Sequence, residues 1–320
     1  MTTRVTRGTF GTAAYGGAGW SPRTRSVADE LGSVWAACGA DSEWAPLRAV
    51  LLHRPGQELA TTDPNAAQML QAIDVGRAQA QFDALEAAYR SAGVTVHHLA
   101  PAGAPSANQM FVADLLFMTP EGAIVARPAS TVRAGEERQV ARRLADLGVP
   151  IIASLRGHAT FEGADAAWLD PRTVMIGRGL RTNAAAVAQL TALLETMGCG
   201  VLVVDLPYGT MHLMGMVRFG GPRLAVGWPR RTPFAAVEAL RARGYEVAFI
   251  PDEVEADHGK AFNFVTLGPG RILTAARTPV TLAFYESLGL ECVTVEVDEL
   301  AKAAGAIGCM SGVLWRDLAP

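Results

Sequence analysis

From Leu47 onward, short apolar runs of strand length alternate with segments in which apolar residues recur at helical spacing. The runs GAIVA, TVMIG, RLAVG and RILTA begin at Gly122, Thr173, Arg223 and Arg271, and each leads to an arginine with proline, threonine or asparagine nearby. This pattern is typical of a strand that ends in a turn before a helix begins. The same unit therefore recurs four times along the chain.

A helix with one apolar face is predicted after each turn, in AGEERQVARRLADLG, NAAAVAQLTALLETMG, PFAAVEALRARG and PVTLAFYESLG. Each helix is closed by a glycine, the usual stop residue, and a further apolar run follows it. A fifth, less regular unit starts with LRAVLLHRP at Leu47, continues through a helix around Arg77 to Ala92 and ends in VTVHHLA. The pattern thus predicts five units, each with the order strand, strand, helix, strand.

Five such units do not suit a single open sheet around a nucleotide, and we find no GxGxxG turn. Radially repeated units bury their faces against their neighbours. We therefore predict an α/β fold, a five-bladed β/α propeller of ββαβ units with pseudo-fivefold symmetry and a concave site at its centre. Residues 45–320 are predicted to form one domain, and residues 1–44 an N-terminal extension that is a flexible tail or a lid.

The composition argues against several classes of partner. The chain of 320 residues has a formal net charge of -3 and no run of Lys or Arg longer than a pair, so it lacks the electrostatic signature of a protein that binds nucleic acid or an anionic membrane. No segment reads as a secretory signal or a membrane span, and the four cysteines are widely spaced. We expect a cytoplasmic protein that acts on a small molecule; a homodimer is left open.

Polar residues inside otherwise apolar strand sequence are the candidates for chemistry, because their burial costs free energy unless they are paired or used. Four segments contain them, NQMFVADLLFM, ATFEGADAAWLD, GTMHLMGMVRF and GAIGCMSGVLWR, and each lies near the start of a different unit. In a ring of units these segments would converge at the centre. The candidates are Asn108, Asp114, Glu162, Asp165, His212 and Cys309.

Each candidate also has a structural interpretation. A lone cysteine in an apolar strand is usually a small buried hydrophobe, and we interpret three cysteines in this way, Cys38, Cys199 and Cys292. For Cys309, the neighbouring Gly308 and Ser311 predict an exposed turn instead. A histidine between apolar residues is by itself more often a hydrogen-bonded core residue, and Asp165 can bond to backbone in its turn. The remaining histidines show no spacing typical of metal ligands, so we predict no metal and no cofactor.

The order FVAD, FEGAD, MHL and GCMS, with RTN at Arg181, resembles the arginine deiminase, dimethylarginine dimethylaminohydrolase and amidinotransferase family, the guanidino-group-modifying or pentein superfamily. The resemblance covers nearly all of residues 45–320. It implies a five-bladed β/α propeller, in agreement with the unit count, and a cysteine hydrolase of a small guanidino substrate.

The resemblance also implies residue roles. Cys309 is the nucleophile and His212 moves protons, while Asp114 and Glu162 hold the guanidinium. Because the guanidinium carbon is a poor electrophile, such a site needs carboxylates that fix the cation and a strong nucleophile. The implied reaction cleaves a guanidino carbon–nitrogen bond through a covalent thiouronium intermediate and yields a ureido product. Further substrate-binding candidates are Asn108 and Asp165 and the arginines that match binding sites for an α-carboxylate, Arg181, Arg127 and Arg133.

Two positions depart from the family pattern. Met214 stands where arginine deiminases and amidinotransferases usually carry an acid, which favours a substituted guanidinium over free arginine. Ala113, before Asp114, is the second departure. An amidinotransferase remains an alternative, although those relatives are generally longer. A non-catalytic binding protein of the same fold is another, against which the retention of both Cys309 and His212 argues.

Overall fold

The computed structural model describes residues 10–61 and 63–319, and its strands form five sheets of three. The strands are β1 (Leu47–Leu52), β2 (Thr95–His98), β3 (Leu116–Thr119), β4 (Gly122–Val125), β5 (Ile151–Ser154), β6 (Ala166–Asp170), β7 (Thr173–Arg178), β8 (Gly200–Asp205), β9 (Val217–Gly221), β10 (Leu224–Gly227), β11 (Glu246–Phe249), β12 (Val265–Gly268), β13 (Arg271–Ala275), β14 (Glu291–Val295) and β15 (Gly312–Arg316). Four sheets consist of consecutive strands, from β3-β4-β5 to β12-β13-β14. The remaining sheet, β15-β1-β2, combines strands from both ends of the chain.

In each sheet, a helix connects the second strand to the third, and further short helices lie elsewhere in the described chain. The helices are α1 (Val27–Glu30), α2 (Glu58–Thr61), α3 (Val75–Ser91), α4 (Glu136–Asp146), α5 (Ala184–Thr196), α6 (Phe234–Ala242), α7 (Glu253–Asp257), α8 (Pro279–Ser287) and α9 (Ile307–Met310). The connecting helices are α3, α4, α5, α6 and α8. In every sheet the first two strands are antiparallel and the last two parallel. The predicted α/β fold with five strand, strand, helix, strand units is confirmed as five three-stranded sheets.

Helix boundaries follow residues that cap helix ends. Helix α3 begins after Asp74, whose carboxylate accepts a hydrogen bond from the Arg77 amide at 3.0 Å. Helix α5 begins after Asn183, whose side chain accepts one from the Ala186 amide at 3.0 Å. Such caps satisfy amides that lack an intrahelical partner. Gly198, which follows α5, has a φ of 74°, a conformation that glycine adopts at low cost.

The core lies between each sheet and its helix and continues into the neighbouring sheet. In the third unit, Leu190 of α5 and Ile176 of β7 pack in one buried cluster with Phe161. Trp168 of β6 stacks on Phe117 of β3 with ring centroids 5.7 Å apart, so the cluster crosses from one sheet to the next. Full burial of each aliphatic or phenyl side chain stabilises the fold by roughly 1.5–3 kcal/mol.

Short turns before the first strand of several sheets lie side by side. The 3-10 turn Val112–Leu115 contacts α9 and the turn Gly163–Asp165, which in turn contacts Leu213–Gly215. At Gly163 a Cβ atom would lie 2.0 Å from the carbonyl oxygen of Leu116, so this close approach requires glycine. The sheets thereby bring the four candidate segments together.

The segment before β1 packs on the rest of the chain. The Ala36 amide donates to the Gly148 carbonyl at 2.9 Å, and the Gly39 amide donates to the Leu314 carbonyl at 3.0 Å. Residues 1–9 of the predicted extension lie outside the described residues. The boundary at residue 45 and the lid role stay predictions. None of the described helices has the length and hydrophobicity to cross a bilayer.

Candidate active site

Cys309 and His212 lie together in the wall shared by two adjoining cavities. The smaller one, about 40 Å³, is the polar compartment, and it is also lined by Asn108, Phe111, Asp114, Arg133 and Arg181. The larger one, about 280 Å³, is the apolar compartment, and it is also lined by Leu70, Met214, Met216, Trp228 and Phe262. The lining therefore contains residues from three of the four candidate segments, and Glu162 of the fourth lies 2.6 Å from the Nε2 atom of His212.

Cys309 is held by Asn263, which precedes β12. The Asn263 Nδ2 atom donates to the Cys309 Sγ atom at 3.0 Å, and the Asn263 Oδ1 atom accepts from the Cys309 amide at 3.1 Å. The Asn263 carbonyl also accepts from the Gly308 amide at 3.0 Å. Burial and then the charge of Asp114 raise the pKa of the Cys309 thiol, against the opposing effect of the Asn263 hydrogen bond. The thiol of the free protein is therefore protonated at neutral pH.

The predicted exposed turn around Cys309 is wrong. Cys309 is only partly exposed and lies in the one-turn helix α9. Ser311 is buried, with its hydroxyl oxygen 2.6 Å from both the Tyr89 hydroxyl and the Ile307 carbonyl. Gly308 provides packing space instead of exposure, because a Cβ atom there would lie 2.7 Å from the Arg218 Nη2 atom.

Asn263 is a site residue that the sequence analysis missed. It lies in the segment KAFNFV, where a polar residue stands among apolar ones just before the first strand of its sheet. The other candidate segments share this feature. Applied to all five units, the same criterion would have identified Asn263.

His212 carries a positive charge at neutral pH. Its Nε2 atom lies 2.6 Å from Glu162 Oε2 and 3.8 Å from Asp114 Oδ1. Burial alone would lower the pKa of His212, but Asp114, the Glu162 hydrogen bond and Asp165 outweigh it and raise the pKa to about 9. An imidazolium at this position is a proton donor.

Glu162 is fully buried behind His212, and protein groups engage both of its carboxylate oxygens. Its Oε1 atom accepts from the Ala129 amide at 3.1 Å and from Arg181 Nη1 at 3.3 Å. Burial would raise the pKa of Glu162, but the hydrogen bond and charge of His212 and the nearby arginines lower it. The family resemblance implies that Glu162 and Asp114 together hold the substrate guanidinium. Among the described residues that line the compartments, only Asp114 of this pair is found.

One carboxylate oxygen of Asp114 accepts no hydrogen bond from the described residues, although the His212 Nε2 atom lies 3.8 Å from it. Arg133 Nη1 lies 2.6 Å from Asp114 Oδ2 and 3.6 Å from Glu162 Oε2, and the Arg133 guanidinium also pairs with Glu136 at 2.9 Å. Asp114 Oδ1 has no hydrogen-bond partner among the described residues. Asp114 itself lines the polar compartment together with Cys309 and His212.

Two other predicted site residues, Asp165 and Arg127, are not among the described residues that line either compartment. Asp165 Oδ2 accepts from the Thr182 hydroxyl at 2.6 Å, and its Oδ1 atom accepts from the Leu213 amide at 3.0 Å. Burial raises the pKa of Asp165 to about 6. Arg127 donates from Nη1 to the Ala159 carbonyl at 2.9 Å. Asp165 thus supports the backbone next to His212, and Arg127 joins two neighbouring units.

Asn108 and Arg181 do line the polar compartment. The Asn108 side chain donates to the Ala67 carbonyl at 2.7 Å and so ties this wall to the segment after α2.

Cys38 and Cys199 are buried, as predicted, but Cys292 is only half-buried because β14 is at the edge of its sheet.

Asp114, Glu162 and His212 could together offer ligand atoms to a metal ion. One atom of each lies within 4.8 Å of the others, and this donor set suits a divalent cation. The same space already borders the Arg133 guanidinium and a protonated His212, so a metal would compete with both. The absence of a metal requirement stays a prediction.

Most of the chain is similar in sequence to known protein families. Residues 60–216 match the family of eukaryotic N,N dimethylarginine dimethylhydrolases, and residues 232–316 match the arginine deiminase family. An N(G),N(G)-dimethylarginine dimethylaminohydrolase of Streptomyces coelicolor is 30% identical over 273 residues, which are 85% of this chain and 99% of that protein. The enzyme of the same name from Pseudomonas aeruginosa is 25% identical over 240 residues, 74% of this chain and 89% of that protein.

Solved structures share the fold. The Pseudomonas aeruginosa dimethylarginine dimethylaminohydrolase in complex with citrulline matches with a TM-score of 0.69 and 21% identity, over 83% of this chain and 99% of that one. An amidinotransferase of the saxitoxin pathway of Microseira wollei matches with a TM-score of 0.70 and 13% identity, over 88% and 97%. The 30% identity to the Streptomyces coelicolor enzyme, over 99% of the length of that enzyme, shows to which family the chain belongs. The chain belongs to the dimethylarginine dimethylaminohydrolase family, hydrolases of carbon–nitrogen bonds in linear amidines within the guanidino-group-modifying (pentein) superfamily.

Proposed function

We propose that this protein hydrolyses a guanidino carbon–nitrogen bond of an N-substituted arginine, with Cys309 as the nucleophile, and releases an amine and a citrulline-like ureido product. The free Oδ1 atom of Asp114 carries this proposal. A buried acceptor without a donor costs free energy. A guanidinium supplies N–H donors and the complementary charge, and it would then lie beside Cys309 and His212.

We also propose that the five sheets form a closed five-bladed propeller with pseudo-fivefold symmetry and that residues 45–320 are one catalytic domain. Two observations support it: strands from both chain ends share a sheet, and the turns before the first strands lie side by side.

Substrate binding activates the nucleophile. The guanidinium donates to Asp114 Oδ1, and Arg181 is available for the α-carboxylate because its guanidinium reaches the polar compartment. A cation held next to the protonated Cys309 lowers the pKa of the thiol. The proton then leaves to solvent, and the thiolate forms only when substrate is present.

The thiolate attacks the guanidinium carbon, and one carbon–nitrogen π pair moves onto nitrogen. The His212 imidazolium gives its proton to the departing nitrogen, the bond to that nitrogen breaks, and a thiouronium on Cys309 remains. Neutral His212 then takes a proton from water while the oxygen attacks the same carbon. The adduct then expels the Cys309 thiolate, and loss of the remaining hydroxyl proton to solvent gives the neutral ureido product. Glu162 holds the imidazole and stabilises its charge throughout.

A product assay tests the proposal. Arginine and its N-methyl and N,N-dimethyl derivatives are incubated with the protein, and ureido product and released amine are measured with and without glycine as an acceptor. We expect equal amounts of both products, independent of glycine, and no turnover with Cys309→Ser. Cys292→Ser is the matched control and should keep full activity. Turnover by Cys309→Ser would contradict the mechanism, and amidino transfer to glycine would favour the amidinotransferase alternative.

A further inference from the structure

The two compartments that meet at Cys309 differ in chemistry. The polar compartment contains the carboxylate of Asp114 and the guanidinium groups of Arg133 and Arg181. These groups match a substrate guanidinium and an α-carboxylate. The apolar compartment is lined mainly by apolar and small residues, with Met214, Met216, Trp228 and Phe262 as its large side chains beside the shared His212, and its other charged residues are Arg231, Asp257 and Lys260.

The position of His212 fixes which part of the substrate faces which compartment. His212 is the proposed donor to the departing nitrogen, and it lines both cavities. With the amino-acid end bound in the polar compartment, the departing nitrogen would lie beside His212, which also lines the apolar compartment together with Met214 and Met216. Any substituent on that nitrogen extends into the apolar compartment.

The apolar compartment is larger than methyl groups require. A cavity of about 150 Å³ is enough to hold benzene, whereas this compartment measures about 280 Å³. Its deep walls are buried side chains, with Met216 1%, Trp228 5% and Phe262 2% exposed. The Trp228 and Phe262 rings lie 5.8 Å apart between centroids and offer apolar faces. Methionine side chains adapt to ligands of different shape.

The charged groups on this side of the compartment lie together, with two cations around one acid. The Arg231 guanidinium stacks on the Trp228 ring at 3.9 Å. Asp257 lies 3.5 Å from the Arg231 Nη2 atom and 3.7 Å from the Lys260 Nζ atom. Among the described lining residues Asp257 is the one acid, and it is already next to two cations. A cationic substituent would therefore find no free counter-charge.

We propose that the apolar compartment is a leaving-group site for an uncharged apolar N-substituent larger than methyl, in the size range from propyl to benzyl. This inference rests on the proposed hydrolysis of N-substituted arginines and specifies their class. The leaving group is then a primary or secondary amine with an alkyl or arylalkyl chain. Burial of that chain contributes to binding before and during cleavage of the bond.

The test is a substrate series of arginines that carry methyl, dimethyl, propyl, benzyl or 2-aminoethyl on one terminal guanidino nitrogen. Each buried methylene raises kcat/KM by about fourfold. We expect kcat/KM for the propyl and benzyl substrates to exceed that for the methyl substrate by at least about tenfold, and the aminoethyl substrate to be the poorest. Equal or falling kcat/KM from methyl to benzyl, with normal hydrolysis of methylarginine, would overturn the leaving-group site and leave the proposed function intact.

A cavity-filling variant adds a second readout. Met214 is partly exposed, so Met214→Trp fills the compartment next to the reacting atoms with little disturbance of the core. We expect the benzyl-to-methyl ratio of kcat/KM to fall at least about tenfold, a ratio that a general loss of folded protein does not change. An unchanged ratio would contradict the proposal. If Met214→Trp does not fold, binding of the methyl and benzyl substrates to the Cys309→Ala protein by calorimetry decides the same question. Absence of turnover with every substrate would overturn the proposed function and this inference with it.

Discussion

The polar and apolar compartments on the two sides of Cys309 show two different ways of building a binding site. Around the polar compartment, charged groups are buried and closely paired, with contacts of 2.6 Å between Arg133 and Asp114 and between His212 and Glu162. In the apolar compartment the charges of Asp257, Arg231 and Lys260 are 3.5 Å or more apart, and four large lining residues, Met214, Met216, Trp228 and Phe262, are uncharged.

This difference separates recognition from selectivity. Burying a network of charges costs desolvation energy, which is offset only when each charge has a partner. The side chains of such a network are therefore held in one geometry before a ligand binds. In the proposed function the substrate cation binds Asp114 Oδ1, the oxygen that accepts no hydrogen bond in this network. An apolar wall makes few such demands and discriminates by size and by the area that it removes from water. Under the two proposals above, the polar compartment binds the guanidinium and the apolar compartment selects its N-substituent.

Removal of the proton donor at the junction of the compartments should have the largest effect. General acid–base groups contribute about 10²–10⁴-fold to rate. We expect His212→Ala to lower kcat by about that factor for every substrate, irrespective of its N-substituent. The measurement is steady-state kinetics with methyl- and benzyl-substituted arginine. A loss confined to one of the two substrates would show that His212 serves only one compartment.

Neutralising the free carboxylate should weaken the polar compartment selectively. Loss of one partner of a buried charge pair costs about 2–5 kcal/mol, so Asp114→Asn should lower kcat/KM by at least about 30-fold. The ratio between substrates with different N-substituents should stay constant, because the apolar wall is unchanged. Arg133 also loses its partner in this variant, so circular dichroism must first show a native fold. A folded variant with kcat/KM near that of the parent would contradict the role of Asp114.

The charge of His212 predicts a pH dependence of stability. Since its pKa is raised to about 9 in the folded state, the stabilisation is fully present below about pH 6.5 and is lost as pH rises through 9. From this shift the contribution is at most about 3 kcal/mol. Urea unfolding should show the free energy of unfolding of the parent protein falling relative to Glu162→Gln between pH 6 and pH 9.5. A difference that does not change over this range would show that Glu162 does not hold the imidazolium.

The smallest effect is expected from Asn263, which contacts the thiol from outside the charge network. Removal of its hydrogen bonds in Asn263→Ala should lower kcat by about tenfold, the value of a hydrogen bond to a charged group. It should also move the pH profile of thiol alkylation by iodoacetamide to higher pH, because the Asn263 bond favours the thiolate. An unchanged alkylation profile would leave Asn263 with a packing role alone.

Much of the fold could be predicted because it depends on local patterns. Helix spacing, terminal glycines and the recurring arginine turns predict the five units, and polar residues within apolar sequence identify Asp114, His212 and Cys309. Contacts between units could not be predicted in the same way. Glu162 bonds His212 and is not among the described residues that line the compartments, because residues 50 positions apart meet there.

The arginines show the same limit. Arg127 and Arg133 lie in one segment, yet Arg133 turns back to Asp114 while Arg127 reaches the Ala159 carbonyl in the next unit. No periodicity distinguishes the two. The size of the apolar compartment cannot be read from the sequence either, because Met216, Trp228 and Phe262 have the pattern of ordinary core residues until the sheets place them around one space.

Direct observation of the covalent intermediate tests the account most sharply. The protein is mixed with an N-substituted arginine in water enriched in oxygen-18, quenched with acid within milliseconds and examined by intact and peptide mass spectrometry. We predict an adduct on the peptide with Cys309 that carries the substrate without its leaving amine, and one oxygen-18 atom in the ureido product. Turnover with an unmodified Cys309 peptide at every quench time would contradict the account.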